Sequence, residues 1–332
     1  MVWCSAFCGR RDPVFIDSFK TTGFAVASIF VLAAIGFLLV KKKFLQDKSL
    51  EVLSRLVIEV TLPLLIFCQL VKDFRFNLYP NWWVFPLLSL SITACGVVCG
   101  LLFTKFIKGG TENRLQFLSS VAFQNSGYLP LALVNALLPK AEAGVMFIYI
   151  FLFLLGFNLL IWSAGVYMLT FTRAKKFEMG SLFSPPVIAT LFSLVLIFFG
   201  FYKFVPEFVI RPLRILGDCT LPLALIVVGG NLGQISLKRI DKRTLFFMVL
   251  AKMVILPLAG LWVLSQLKLP ALLGLLILIQ LAMPPSISSS VIISHYKKED
   301  YCISQGIFFG HLFSLITLPL FLSFYFILVV LK

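Results

Sequence analysis

The chain is predicted to be an all-α integral membrane protein of ten transmembrane helices, arranged as two inverted five-helix repeats with helices four and nine broken. Three observations carry that prediction. The composition lacks the charge a soluble surface needs, apolar runs of bilayer length recur from end to end, and one charged pattern returns after an odd number of spans.

Of the 332 residues, 60% are hydrophobic and only 13% charged, with a mean hydropathy of +1.02. Soluble domains carry about a quarter charged residues, so the apolar surface here is expected to face lipid. One domain is expected over 1–332: a first repeat at about 15–172, a cytoplasmic linker at 173–183 and a second repeat at about 184–332. Neither a cleavable secretory leader nor an appended soluble domain is read.

A hydrocarbon core of about 30 Å takes about 20 apolar residues in a helix. In chain order the spans are expected near 20–41, 51–71, 76–104, 115–139 and 143–172, then 179–202, 210–232, 244–267, 269–296 and 301–331. Alternating barrel strands would give weak ten-residue signals rather than continuous runs. Walking through these spans puts seventeen Lys and Arg on one side and eleven on the other, with Lys252 inside a span, which accounts for all 29. The richer side is read as cytoplasmic, so both termini are expected on the non-cytoplasmic side of a plasma (bacterial inner) membrane. The net charge of +15 fits this bias and anionic headgroups, and does not argue for nucleic acid.

The recurring pattern is R-x3-[ED]-x-T-L-P-L. Arg55, Glu59, Thr61, Leu62, Pro63 and Leu64 in span two match Arg214, Asp218, Thr220, Leu221, Pro222 and Leu223 in span seven, at an offset of 159 residues. Five spans separate the copies, so the halves enter the membrane from opposite sides, the architecture of many secondary transporters. The same offset carries Asn125 to Pro284 and Pro130 to Ser289. These positions mark the two segments that most interrupt an apolar run, Gln124-Asn125-Ser126-Gly127-Tyr128-Leu129-Pro130 and Pro284-Pro285-Ser286-Ile287-Ser288-Ser289-Ser290. Proline removes a backbone donor and clashes with the preceding turn. Irregular backbone at this depth is tolerated only where protein or a watery cavity satisfies it. Half-helix N-termini at such breaks suit an anion such as a carboxylate.

The sequence resembles the auxin efflux carrier family in its bacterial branch. The resemblance rests on Phe123 to Leu131 (FQNSGYLPL), Ser184 to Thr190 (SPPVIAT), Leu216 to Leu223 (LGDCTLPL) and Ala282 to Pro285 (AMPP). It implies a fold similar to bile-acid and sodium–proton transporters, with substrate beside crossing helices and an elevator-like movement. It also implies small organic anions as substrates. The plant carriers have asparagine at both crossing helices; span nine here has none, so auxin itself is not assigned.

Candidate substrate-binding residues are Asn125, Gln124, Ser126, Tyr128 and Pro130 from the first break, and Pro284, Pro285, Ser286 and Ser288 from the second. Asn125 can donate its amide to a carboxylate, or tie the break to neighbouring backbone. The serines can be ligands or simply small residues that let helices approach. Glu59 and Asp218, each four residues after an arginine, are coupling candidates or halves of intrahelical ion pairs. Lys252 is a third candidate for coupling or anion binding, or snorkels to the interface. No cofactor is expected; H+ or Na+ is open as coupling ion. Two histidines, His295 and His311, build no metal motif. No phosphate-binding glycine loop points to ATP, and no nucleophile–base constellation points to an enzyme. A pairing of Cys4 with Cys8, a homodimer, a sodium-coupled bile-acid-like symporter and a non-transporting sensor are left open.

Overall fold

A computed structural model describes residues 11–170, 183–235, 240–295 and 301–330. Cys4, Cys8 and most of the proposed linker lie outside the described residues. Every regular element among the described residues is helical, and each of the ten apolar stretches contains helix. Among the described residues, six helices are long and apolar enough to cross a membrane, beginning with Phe15–Lys41, Val84–Thr104 and Lys140–Leu169. The other three are Glu207–Gln234, Lys242–Gln266 and Cys302–Val330. Shorter apolar helices are Tyr128–Leu137, Pro185–Phe198 and Ala271–Ala282.

Apolar side chains point in both directions. Phe117, Val121, Phe123, Leu131, Phe151, Leu276 and Ile279 belong to one continuous core, while Phe24, Val98, Phe198, Phe208, Trp262 and Ile316 are largely exposed. An outer face of this kind fits hydrocarbon, not water.

Close helix packing depends on small residues where backbones meet, as expected in a bilayer. Arg11–Lys41 lies along Thr220–Gln234. There, a methyl group on Gly36 would collide with the Ile226 carbonyl, and one on Gly229 with the Ala33 carbonyl. Pro185–Phe198 lies along Leu62–Asp73. Val84–Thr104 packs on Lys140–Leu160, and Tyr301–Tyr325 on Lys242–Val249. Among the described residues four π-helical turns occur, at Val57–Thr61, Ile161–Gly165, Leu250–Ile255 and Phe326–Val330. Such turns loosen the backbone ladder locally and recur at functional positions.

Candidate functional site: two helix breaks paired in the core

Both interruptions read from the sequence are real breaks. Thr111–Ala122 ends at Phe123, which is extended, and the next helix, Tyr128–Leu137, starts after Gly127 without a side-chain cap. Ala271–Ala282 ends at extended Met283, and Ile287–His295 follows. The exposed backbone groups of one break are satisfied by the other. Gln124 and Pro285 form an antiparallel bridge; Asn125 N–H donates to the Pro284 carbonyl at 2.8 Å, and Ser286 N–H donates to the Phe123 carbonyl at 3.0 Å. This answers where unwound backbone can go in an apolar core. Asn125 and Pro284, joined by the shortest of these bonds, are the pair related by the 159-residue offset. Gly310 makes room: a methyl there would lie 2.5 Å from Pro285 Cδ.

The side chains around the bridge are polar and buried. Gln124, Asn125, Ser126, Gln280, Ser286, Ser289 and His311 all lie in the interior. Gln280 Nε2 donates to the Ser126 carbonyl at 3.2 Å, and Ser126 Oγ donates to the Gln124 carbonyl at 3.4 Å. Asn125 Nδ2 lies 3.4 Å from His311 Nε2, while His311 Nδ1 lies 2.7 Å from the Ile307 carbonyl. A ring nitrogen beside a carbonyl must carry the proton, so Nδ1 donates and Nε2 is left as acceptor for the Asn125 amide. Both amide atoms of Gln124, Gln280 Oε1 and Ser289 Oγ are buried without a hydrogen-bond partner among the described residues. Leaving such a group unpaired costs about 1–3 kcal/mol, so these side chains retain unused hydrogen-bonding capacity in the interior.

Not every candidate sits at the bridge. Tyr128 and Pro130 belong to the helix that follows the first break, Tyr128 half-buried and Pro130 buried; Ser288 is half-buried in the helix after the second. Glu59 is exposed and held by Arg55 Nε at 3.0 Å, the expected i,i+4 pair. The matching pair does not form in the second copy. Asp218 is exposed and makes no ion pair with Arg214 among the described residues; Arg214 turns to Gln69 Oε1 at 3.4 Å instead. Lys252 does not snorkel. It is 1% exposed, in the Leu250–Ile255 π-helical turn, and has no ion-pair or hydrogen-bond partner among the described residues. That turn packs on Val84–Thr104, Thr111–Ala122 and Ala271–Ala282, with Cys99 Sγ 3.8 Å from the Ala251 carbonyl. The latter two helices end at the two breaks. Among the described residues no three His, Cys, Asp or Glu side chains gather where they could hold a metal.

Sequence reading placed His311 in span ten but gave it no role, because no local motif surrounds it. No local motif marks Gln280 either, an uncharged polar residue inside the expected ninth span. The available signal was a buried polar side chain inside an apolar helix, which marks a site by default.

Comparison with known proteins decides the family. Residues 23–181 and 171–322 match the membrane transport protein family, that of the auxin efflux carriers. The chain belongs to this family. Membership in the auxin efflux carrier family makes it a multi-pass membrane protein of a transporter family. Protein PIN-LIKES 1 of Arabidopsis thaliana is 21% identical over 312 residues, covering 75% of this chain and 65% of its own length. An uncharacterized transporter of Schizosaccharomyces pombe is 28% identical over 109 residues, covering 33% and 24%. Another from Methanocaldococcus jannaschii is 26% identical over 141 residues, covering 41% and 44%. The chain thus spans between about a quarter and two thirds of the length of these relatives.

Proposed function

We propose that the protein is a secondary transporter or facilitator for small organic anions, operating by alternating access between two inverted five-helix halves. The observation that carries this reading is the buried bridge between Asn125 and Pro284, set among polar side chains that lack partners. Its electrostatics favour an anion. Lys252 and His311 are the buried basic side chains among the described residues, and no carboxylate is buried with them. A desolvated amine without a counter-charge is costly, and a substrate carboxylate near Lys252 would supply one. Amide donors on Gln124 and Asn125 add orientation.

The inverted arrangement is supported by the 159-residue offset, by the pairing of equivalent positions at the bridge, and by exchange of neighbours between the halves. The first long helix lies on Thr220–Gln234, and its counterpart Pro185–Phe198 lies on Leu62–Asp73. An elevator-type displacement of the paired breaks against the remaining helices would carry the site across the bilayer without dismantling the bridge. Both termini on the non-cytoplasmic side of the plasma membrane is the orientation that lysine and arginine placement favours.

The test is flux of a panel of radiolabelled mono- and dicarboxylates into proteoliposomes, with and without pH and sodium gradients. At least one carboxylate is expected to move, and Asn125→Ala is expected to lower its flux at least tenfold while the protein elutes and melts as wild type. Sodium-driven uptake of bile acids would favour the symporter reading. High-affinity binding without movement of any solute would favour a sensor. Unchanged flux in Asn125→Ala removes the site from the bridge.

A further inference from the structure

We propose that His311 is the proton-coupling residue of this site, through its contact with Asn125; this rests on the transport reading above. His311 is wholly buried on Tyr301–Tyr325. Its Nδ1 proton is committed to the Ile307 carbonyl at 2.7 Å, which leaves Nε2 as the only place for a second proton. Nε2 faces Asn125 Nδ2 at 3.4 Å, so the neutral ring accepts from the amide and holds its carbonyl Oδ1 turned away from the ring.

Adding a proton at Nε2 reverses that arrangement. The imidazolium has two donors and no acceptor, so it cannot face the Nδ2 group. Rotating the Asn125 amide by half a turn brings Oδ1 to Nε2–H and swings Nδ2, with its N–H groups, into the place Oδ1 had occupied. The direction that had presented an acceptor, repelling a carboxylate, then presents a donor beside a positive ring. Proton and anion therefore bind better together than apart, and by linkage each raises the affinity for the other. Because Asn125 also donates its backbone N–H to Pro284, the switch sits on the bridge between the two breaks.

Other charges around His311 are few. Its helix packs on Arg11–Lys41, Thr111–Ala122, Lys242–Val249, Leu250–Ile255, Leu256–Gln266, Ala271–Ala282, Ile287–His295 and Phe326–Val330. Asp17, Lys20 and Lys41 on the first of these are exposed, as are Glu112 and Arg114 on the second and Lys242 and Arg243 on the third. Lys252 on the fourth is buried and is the cation that opposes a second positive charge. Leu256–Gln266, Ala271–Ala282 and Phe326–Val330 carry no charged side chain. Asp12 and His295 complete the sequence positions on these elements, together with Arg11. Cys302 and Tyr325 share the helix of His311, and Tyr128 follows the first break.

The chain has two histidines, so His295→Gln leaves a single imidazole for nitrogen NMR of 15N-histidine-labelled protein in lipid nanodiscs. At neutral pH the spectrum should report Nδ1 protonated and Nε2 bare, and acidification should protonate Nε2. Asn125→Ala should shift that midpoint by at least half a pH unit. Adding benzoate, used as a carboxylate probe, should move the wild-type midpoint to higher pH. In proteoliposomes, the ratio of carboxylate uptake at pH 5.5 to that at pH 7.5 should fall from at least fivefold to near one in His311→Gln. An Nε2-protonated neutral tautomer, or a pH ratio unchanged in His311→Gln, overturns the assignment. If no carboxylate moves in wild type, the transport reading fails, and the NMR tautomer and the Asn125→Ala shift still decide the His311–Asn125 switch.

Discussion

The two helix breaks occupy equivalent positions and meet at one bridge, yet they are built from opposite chemistry. The first, around Gln124-Asn125-Ser126-Gly127, unwinds through small and amide-bearing residues and keeps its backbone donors. The second, Met283-Pro284-Pro285-Ser286, unwinds because two prolines remove the donors and obstruct the preceding turn. The first therefore supplies side-chain donors and the N–H of Asn125, and the second answers with the Pro284 carbonyl and a stiff backbone. The two breaks thus meet with different chemistry: amide side chains on one, prolines on the other. The same divergence appears at the repeated arginine motif, where Arg55 holds Glu59 but Arg214 reaches for Gln69 instead of Asp218.

The largest way to break this comparison is to force the proline side away from the amide side. Gly310→Val places a branched side chain against Pro285 Cδ, where even a methyl would sit at 2.5 Å. Overpacking of this kind costs about 1–3 kcal/mol, so thermal unfolding in detergent should show a lower midpoint together with loss of flux; Gly310→Ala should show a smaller loss of both. A wild-type midpoint in Gly310→Val would mean that the second break is not pressed against Gly310.

A smaller effect of opposite sign tests the amide-bearing side. Gln124 is buried with neither amide atom partnered among the described residues. Gln124→Leu removes those groups and should stabilise the fold by about 1 kcal/mol while reducing carboxylate flux, read by a melt and an uptake assay on the same preparation. Stabilisation with undiminished flux would remove Gln124 from the site. Gain in stability with loss of activity is the mark of a polar group kept for a ligand.

The smallest effect separates a capped helix start from the uncapped one at Gly127. Asp241 caps Lys242–Val249, accepting from the Arg243 and Thr244 backbone N–H groups at 3.0 and 3.2 Å and from the Thr244 hydroxyl at 2.6 Å. Burial acts to raise its carboxyl, but the hydrogen bonds from Thr244 and Arg243, with the charge of Arg243, outweigh that and hold it below the ordinary value. A lowered folded value means the contribution is present above the unfolded carboxylate range, near pH 4, and is lost as pH falls through the folded value. Asp241→Ala should cost about 1 kcal/mol at pH 7, and the gap between the two melting curves should narrow in acid. A constant gap down to the acid limit would contradict the capping role.

Much of the fold was legible because a bilayer leaves backbone little choice. Apolar runs of fixed length specify helices, and Pro284, Pro285 and Gly127 state where those helices must fail. The offset between Arg55 and Arg214 was enough to match Asn125 with Pro284 as equivalent positions, but not to foresee the hydrogen bond between them. What stayed hidden was contact between distant positions. Nothing near His311 in sequence refers to Asn125, 186 residues away, and the failure of Arg214 to hold Asp218 depends on Gln69 in another helix. The choice for Lys252 between interface and interior also follows from neighbouring helices, not from its own span.

The account stands on the bridge being where an anion binds inside the membrane. A cryo-electron microscopy map of the protein in lipid nanodiscs, with a transported carboxylate at saturating concentration, tests this most directly. The expected map has both helices interrupted at mid-membrane and ligand density within hydrogen-bonding reach of Asn125 and Gln124. Continuous helices through Gln124 and Pro285, or ligand density lodged away from both breaks, would contradict it.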